Sequence, residues 1–395
     1  MEGLGVTETD DSTWMMQFRQ RTASRRVPIA GILELTSRCN LRCVHCYLGA
    51  QEEQRKKRRL EMSTERVKAV IDDVVANGCL YLAITGGDPM VRRDFPEIYR
   101  HAREQGLIVT VLCDGVLVSE KIVALFREYP PFNVDISLYG ATAETYEAVT
   151  RTQGSYARCL RGIRRLLAAG IPVSLKTVLM SINQHELDDM RRMAEELGVS
   201  FRMDAALFPC LPHHDRGPLD LRVSPREAVA KELSDPERLQ EWIEYAERRR
   251  DQAPAEGLYV CGAGLTNFYV DPFGFVSPCL MTTRYRYPLG ESDFASLWAG
   301  PLAALRGKRP RESYPCNTCE IRTACTACPA FNFQETGQED VKSEYVCETA
   351  RYRWQAIREA SGAASGSARP LLPVLAPAAS AGGTGGHPAD VRREE

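Results

Sequence analysis

The chain has 395 residues, 44% hydrophobic and 26% charged, with a formal net charge of −2. That composition fits a globular protein with a substantial core and excludes nucleic acid or an anionic membrane as the main partner. No run is apolar for long enough to span a bilayer, and Met1-Glu2-Gly3 lacks the basic and apolar regions of a signal peptide, so the 14 cysteines are expected to serve metals or catalysis in a reducing cytoplasm.

Residues 1–27 read as a flexible N-terminal extension with a short helix around Trp14–Arg21. Strand and helix patterns then alternate. Gly31–Thr36 is strand-like and runs into a cysteine loop. The basic run Arg55-Lys56-Lys57-Arg58-Arg59 reads as a solvated charged loop, with docking of an acidic peptide as the alternative. Thr64–Asn77 is helical through Val67, Val70, Ile71, Val74 and Val75 and stops at Gly78. Strands follow at Leu80–Thr85, Leu107–Leu112, Phe132–Leu138, Pro172–Leu179 and Val199–Leu207. Helices fall at Phe95–Gln105, Ser119–Glu128, Tyr156–Ala169 and Gln184–Leu197. Six strands, each followed by a helix, call for a parallel sheet wrapped by helices; local patterning leaves a partial barrel and a doubly wound sheet both open. The cysteine loop, Thr85–Pro89, Cys113–Gly115 and Ser137–Gly140 all fall just after strand ends, where parallel α/β folds build their sites.

Beyond Phe208 a Pro- and His-containing loop leads to a helical stretch over Ser224–Arg250, broken near Ser234–Pro236. The organisation reads as a core over 28–225, a helical linker over 226–256, a cysteine-rich unit over 257–352 and a disordered Ala/Gly/Ser/Pro tail over 360–395. The 257–352 segment has too few long apolar runs to fold by core burial alone and is expected to fold around metal.

Cys39, Cys43 and Cys46 follow the spacing C-x3-C-x2-C. Three thiolates on a [4Fe–4S] cube leave one iron open for a substrate or cofactor, whereas a structural zinc site closes its fourth position. Seven more cysteines, Cys261, Cys279, Cys316, Cys319, Cys325, Cys328 and Cys347, recur downstream; by count they fit zinc or iron–sulfur equally.

The triplet resembles the radical S-adenosylmethionine (radical SAM) superfamily, and the later cysteines resemble its SPASM extension. This resemblance covers roughly residues 30–350. It implies a partial (β/α)6 TIM-like barrel followed by a small cysteine-rich iron–sulfur domain. One [4Fe–4S] cluster would bind S-adenosylmethionine through Cys39, Cys43 and Cys46. Of two auxiliary clusters, the nearer would take Cys261, Cys279 and Cys328, and the farther Cys316, Cys319, Cys325 and Cys347. The central run has two residues between Cys325 and Cys328 where the family usually has three. The resemblance also gives cofactor-binding roles to Tyr47, to Gly86-Gly87-Asp88-Pro89 (Asp replacing the usual Glu), to Ser137, and to Lys176 and Asn183. Cys210, followed by His213 and His214, is a candidate cluster ligand or hydrogen-atom donor, against the alternative of an incidental loop thiol.

The implied activity is hydrogen abstraction by a 5′-deoxyadenosyl radical. Its expected use is modification of a ribosomally made peptide by cross-linking, oxidation or epimerisation. Alternatives are maturation of a protein residue, as in sulfatases, or modification of a porphyrin-type molecule. A non-catalytic metal-binding or electron-transfer protein is a reading of another class. Expected partners are the peptide or protein substrate, a reductase or flavodoxin-type electron donor, and a separate peptide-recognition protein.

Overall fold

The computed structural model describes residues 11–211, 215–250 and 256–361. The residues before Asp11, His213, His214 and nearly all of the expected tail lie outside the described residues.

The strands are β1 (Ala30–Glu34), β2 (Tyr81–Thr85), β3 (Ile108–Cys113), β4 (Asn133–Ser137), β5 (Val173–Val178), β6 (Ser200–Asp204), β7 (Asn267–Val270), β8 (Phe275–Ser277) and β9 (Tyr287–Pro288). They form one sheet in the order β6-β5-β4-β3-β2-β1-β7-β8-β9. Strands β1 to β6 are parallel and follow chain order without reversal. A doubly wound sheet reverses its order at a switch point, so this winding is that of a barrel. Because β6 and β1 are not neighbours, the barrel is open.

The helices α1 (Asp11–Ser24), α2 (Gln51–Lys56), α3 (Thr64–Ala76), α4 (Phe95–Glu104), α5 (Glu120–Glu128), α6 (Ala143–Thr150), α7 (Ser155–Ala168), α8 (Leu187–Leu197), α9 (Pro225–Leu233), α10 (Pro236–Arg249), α11 (Phe294–Ala299), α12 (Pro301–Ala304), α13 (Pro329–Thr336) and α14 (Glu344–Ala360) complete the chain. Local chemistry fixes their ends. Ser63 accepts from the Arg66 N–H at the start of α3, and Gly78, at φ +99°, turns the chain into β2. Ser224 and Glu227 close a reciprocal capping box on α9. Within the barrel the sequence reading lacks two α-helical pieces: α6, inserted before α7, and α2 with its 3-10 continuation Lys57–Leu60, which occupies the basic run; in the cysteine-rich segment it lacks α11 to α14.

Alternation along the strands divides core from lumen. Leu33, Leu82, Ile84, Val109, Val111, Val134, Ile136 and Leu175 are buried against the helices, where Phe95, Tyr99 and Phe126 pack with them. The opposite faces of β1 to β6 point into the barrel. The cysteine-rich segment, expected to fold around metal, also shares the apolar core of the barrel. Strand β7 pairs in parallel with β1, Leu33 opposite Val270, and Phe268, Val276, Phe294, Trp298 and Leu302 join the main core. Phe268 meets Phe294 edge to face at 4.8 Å, and Gly31 has no side chain because the Phe268 ring fills its place. Four-residue β7 is too short to show a pattern; its burial comes from β1. Arg26 fastens the other end of the core by donating to the Gly264 and Trp298 carbonyls.

Candidate active site

The loop between β1 and α2 carries the cysteine triplet, and the turn after β2 holds it in shape. Gly87 N–H donates to the Thr36 carbonyl at 2.7 Å and Asp88 N–H to the Arg38 carbonyl at 3.0 Å. A Cβ on Gly86 would lie 2.6 Å from the Thr36 oxygen, and one on Gly87 2.3 Å from the Arg38 oxygen, so both positions require glycine. Asp88 is fully buried. Its Oδ1 accepts from Met90 N–H and its Oδ2 from Asp114 N–H, so the carboxylate caps the turn that begins at Pro89.

A cavity of about 350 Å³ opens at the C-terminal ends of the strands. Cys39, Cys43 and Cys46 line it, together with Tyr47, Gly86, Gly87, Ser137 and Lys176. Parallel pairing of β4 with β5 sets Ser137 directly beside Lys176. Asp204 from β6 and Phe208 close one side. Leu280, next to Cys279, is contributed by the cysteine-rich segment. Phe331 of α13 packs against Phe208 at 6.2 Å, which seats that segment on the barrel mouth.

Other expected residues have different surroundings. Asp88 and Pro89 stand behind the cavity wall. Asn183, fully buried, accepts from Met180 N–H and donates to the carbonyls of Val178 and Tyr139, so its amide staples the loops after β4 and β5. The Cys210 thiol donates to the Cys46 carbonyl at 3.3 Å and does not line the cavity. Cys79 and Cys159 are buried as small apolar residues; Cys113, also buried, borders the cavity.

Asp114 and His45 are among the lining residues that carry no sequence-based assignment. Asp114 accepts from the Asn40 amide at 2.7 Å and from Val116 N–H at 2.8 Å, with the Cys39 sulfur 3.9 Å away. Burial, and then the neighbouring Asp88, hold its carboxyl protonated far above the usual range. His45 packs edge-on to Tyr139 at 4.7 Å and its buried Nδ1 has no protein partner. Burial lowers its pKa to about 4, so the ring is neutral. The signals available were the position of Cys113–Gly115 at a strand end and the place of His45 inside the triplet; neither tells which way a side chain points.

The donor set matches a cationic cluster. Burial raises all three thiols of the triplet, and the acidic neighbours Asp114 and Asp88 leave Cys39 no nearby positive charge to offset it. Lys176, its own pKa lowered by burial, is the lysine on the cavity wall. Thiolates can form here only when positive charge arrives with the ligand, as it does with iron. Among the described residues no three His, Cys, Asp or Glu side chains close on one metal ion. Downstream, Cys279 feels Cys328 and Cys261, and Cys328 feels Cys261, while Cys325 and Cys316 feel Cys319 and Cys347.

The radical SAM superfamily profile matches residues 33–197, which run from the end of β1 through the triplet, the glycine turn and strands β2 to β5. Residues 33–197 form a radical SAM domain. The chain is 28% identical to the AdoMet-dependent heme synthase of Methanosarcina barkeri, over 77% of this chain and 92% of that protein. It is 29% identical to the mycofactocin maturase MftC of Mycobacterium tuberculosis, over 78% of this chain and 79% of that one. Among solved structures, Streptococcus suis SuiB bound to its precursor peptide SuiA superposes with a TM-score of 0.66 at 14% identity, covering 88% of this chain and 84% of SuiB. The protein is therefore an S-adenosylmethionine-dependent iron–sulfur enzyme. When bound, the [4Fe–4S] cluster and S-adenosylmethionine supply a 5′-deoxyadenosyl radical; the chain's task is to bind, orient and exclude water. No helix among the described residues is long and apolar enough to cross a membrane.

Proposed function

We propose that this radical SAM enzyme is a peptide maturase that abstracts hydrogen from a ribosomally made precursor. The cavity carries this reading: one wall is the cysteine triplet and another is Leu280, adjoining Cys279, so a strand of peptide laid across the mouth meets both cysteine regions. The polar lumen of Ser137, Lys176 and Asp204 offers hydrogen bonds to a peptide backbone. The mycofactocin maturase MftC and the antilisterial bacteriocin subtilosin biosynthesis protein AlbA of Bacillus subtilis match 78% and 76% of the chain. Cys39, Cys43 and Cys46 hold the first cluster. Cys261, Cys279 and Cys328 hold a nearer auxiliary cluster and Cys316, Cys319, Cys325 and Cys347 a farther one. Electrons come from a flavodoxin-type donor.

The test is anaerobic incubation of the reconstituted enzyme with reductant, S-adenosylmethionine and a candidate precursor peptide. Deoxyadenosine with an altered peptide mass is expected; cleavage of the cofactor with iron coproporphyrin III modified instead would replace this reading. Porphyrin modification is the second reading, favoured by the match that spans 92% of the heme synthase.

A further inference from the structure

The segment after the cysteine loop is fastened to that loop at both ends. Gln51 Oε1 accepts from the Cys39 backbone N–H at 2.6 Å, and the Gln54 amide donates to the Leu48 carbonyl. Both glutamines are buried. At the other end Glu61 accepts from the Thr36 hydroxyl at 2.5 Å and pairs with Arg38 at 2.9 Å. Between these anchors the chain turns outward and exposes Arg55, Lys56, Arg58 and Arg59, with Lys57 half-buried among them. Leu60, 68% exposed, follows them.

These cations do nothing for the fold that the contacts reveal. Lys56 pairs with Glu53 at 2.6 Å, while the side chains of Arg55, Lys57, Arg58 and Arg59 have no carboxylate or hydrogen-bond partner among the described residues. Four like charges without partners repel one another, so the run is most stable when an acidic surface faces it. Their position gives them a use. A helical rise of about 1.5 Å per residue places Arg55 to Arg59 roughly 6–12 Å along the axis from Gln51, the residue bonded to Cys39.

We propose that Arg55–Leu60 is the docking surface for an acidic one-electron carrier protein of the flavodoxin class. The inference rests on the radical SAM reading above, because reductive cleavage of a sulfonium consumes one electron for each cofactor. The anionic flavin hydroquinone of the carrier loses that electron and becomes the neutral semiquinone, with no proton released, and the cluster held by Cys39, Cys43 and Cys46 gains it. Acidic side chains on the carrier meet the free cations, and an apolar residue at its rim covers Leu60. Charge of this kind chiefly accelerates encounter and is screened over about 8 Å at physiological salt.

The test compares the full-length reconstituted enzyme with its R55Q/K57Q/R58Q/R59Q variant. Flavodoxin hydroquinone is mixed with each, and its oxidation to semiquinone is followed by stopped flow. The second-order rate constant should fall at least tenfold at low salt and lose most of its salt dependence. Deoxyadenosine formation driven by dithionite should be unchanged. An unaltered flavodoxin rate, or an equal loss with dithionite, overturns the proposal. Calorimetric titration with oxidised flavodoxin reads docking without turnover. A tenfold weakening there supports the surface even if no reductant yields deoxyadenosine, a result that would sink the enzymatic reading instead. Weakened binding of a polyglutamate peptide with flavodoxin affinity intact assigns the run to acidic peptides and overturns it.

Discussion

Glu34 at the end of β1 is 1% exposed, and its Oε2 accepts from the Tyr269 hydroxyl at 2.5 Å. Burial, only partly offset by that bond, raises its pKa from 4.5 to about 8. The folded protein thus keeps a proton that the unfolded chain releases. Stability from this group is complete below about 4.5, declines as pH rises, and is gone above about 8. Urea midpoints at pH 5 and pH 8 should differ less in Glu34→Gln than in the wild type; an identical difference would show that Glu34 ionises freely. Gly87 yields a second prediction. Its missing Cβ would strike the Arg38 carbonyl, so Gly87→Ala should cost about 1–3 kcal/mol and reduce iron retention. Gly307→Ala, where nothing lies within 4 Å, should be neutral on both counts. At this scale the triplet and the glycine turn were legible because their spacing and composition are rare. Asn183 was not: a buried amide that staples two loops has the same sequence appearance as one that faces a ligand. His45 and Asp114 matter through orientation and partners, which only the assembled loops reveal.

Elements were legible where their apolar period was long enough. Helix α3 and strands β2 to β5 lie within two residues of their sequence expectations, since each repeats its pattern several times and ends at a glycine or a polar turn. Strand β7 escaped detection. With four residues it shows no period, and its place in the sheet is fixed by pairing with β1, more than two hundred residues earlier. The basic run has the sequence appearance of a loop because its anchors, Gln51 and Gln54, are polar residues buried by contact with the cysteine loop. Phe268 should carry much of the docking of the cysteine-rich segment. Phe268→Ala removes a ring that is 2% exposed and touches Gly31, Phe294 and Trp298. A loss of about 3–5 kcal/mol in urea unfolding is expected; a loss under about 1 kcal/mol would mean that this end of the sheet is held mainly by other contacts.

The whole molecule is a barrel left open between β6 and β1, with the gap in its wall answered by a second unit that extends the sheet past β1 and overhangs the strand ends. That arrangement gives one cavity to residues from both units, and a short path from the outer face of α2 to the triplet. Winding order could not be read from periodicity, because a doubly wound sheet and a barrel share the same alternation of strand and helix; it follows once β1 to β6 are seen in unbroken succession. Electron paramagnetic resonance of the dithionite-reduced enzyme, with and without S-adenosylmethionine, probes the triplet most directly. Coordination of the cofactor to an open iron should shift the g values of one reduced cluster, and that component should vanish when Cys39, Cys43 and Cys46 are replaced by alanine. A spectrum indifferent to the cofactor, or unchanged in the alanine variant, would contradict the assignment.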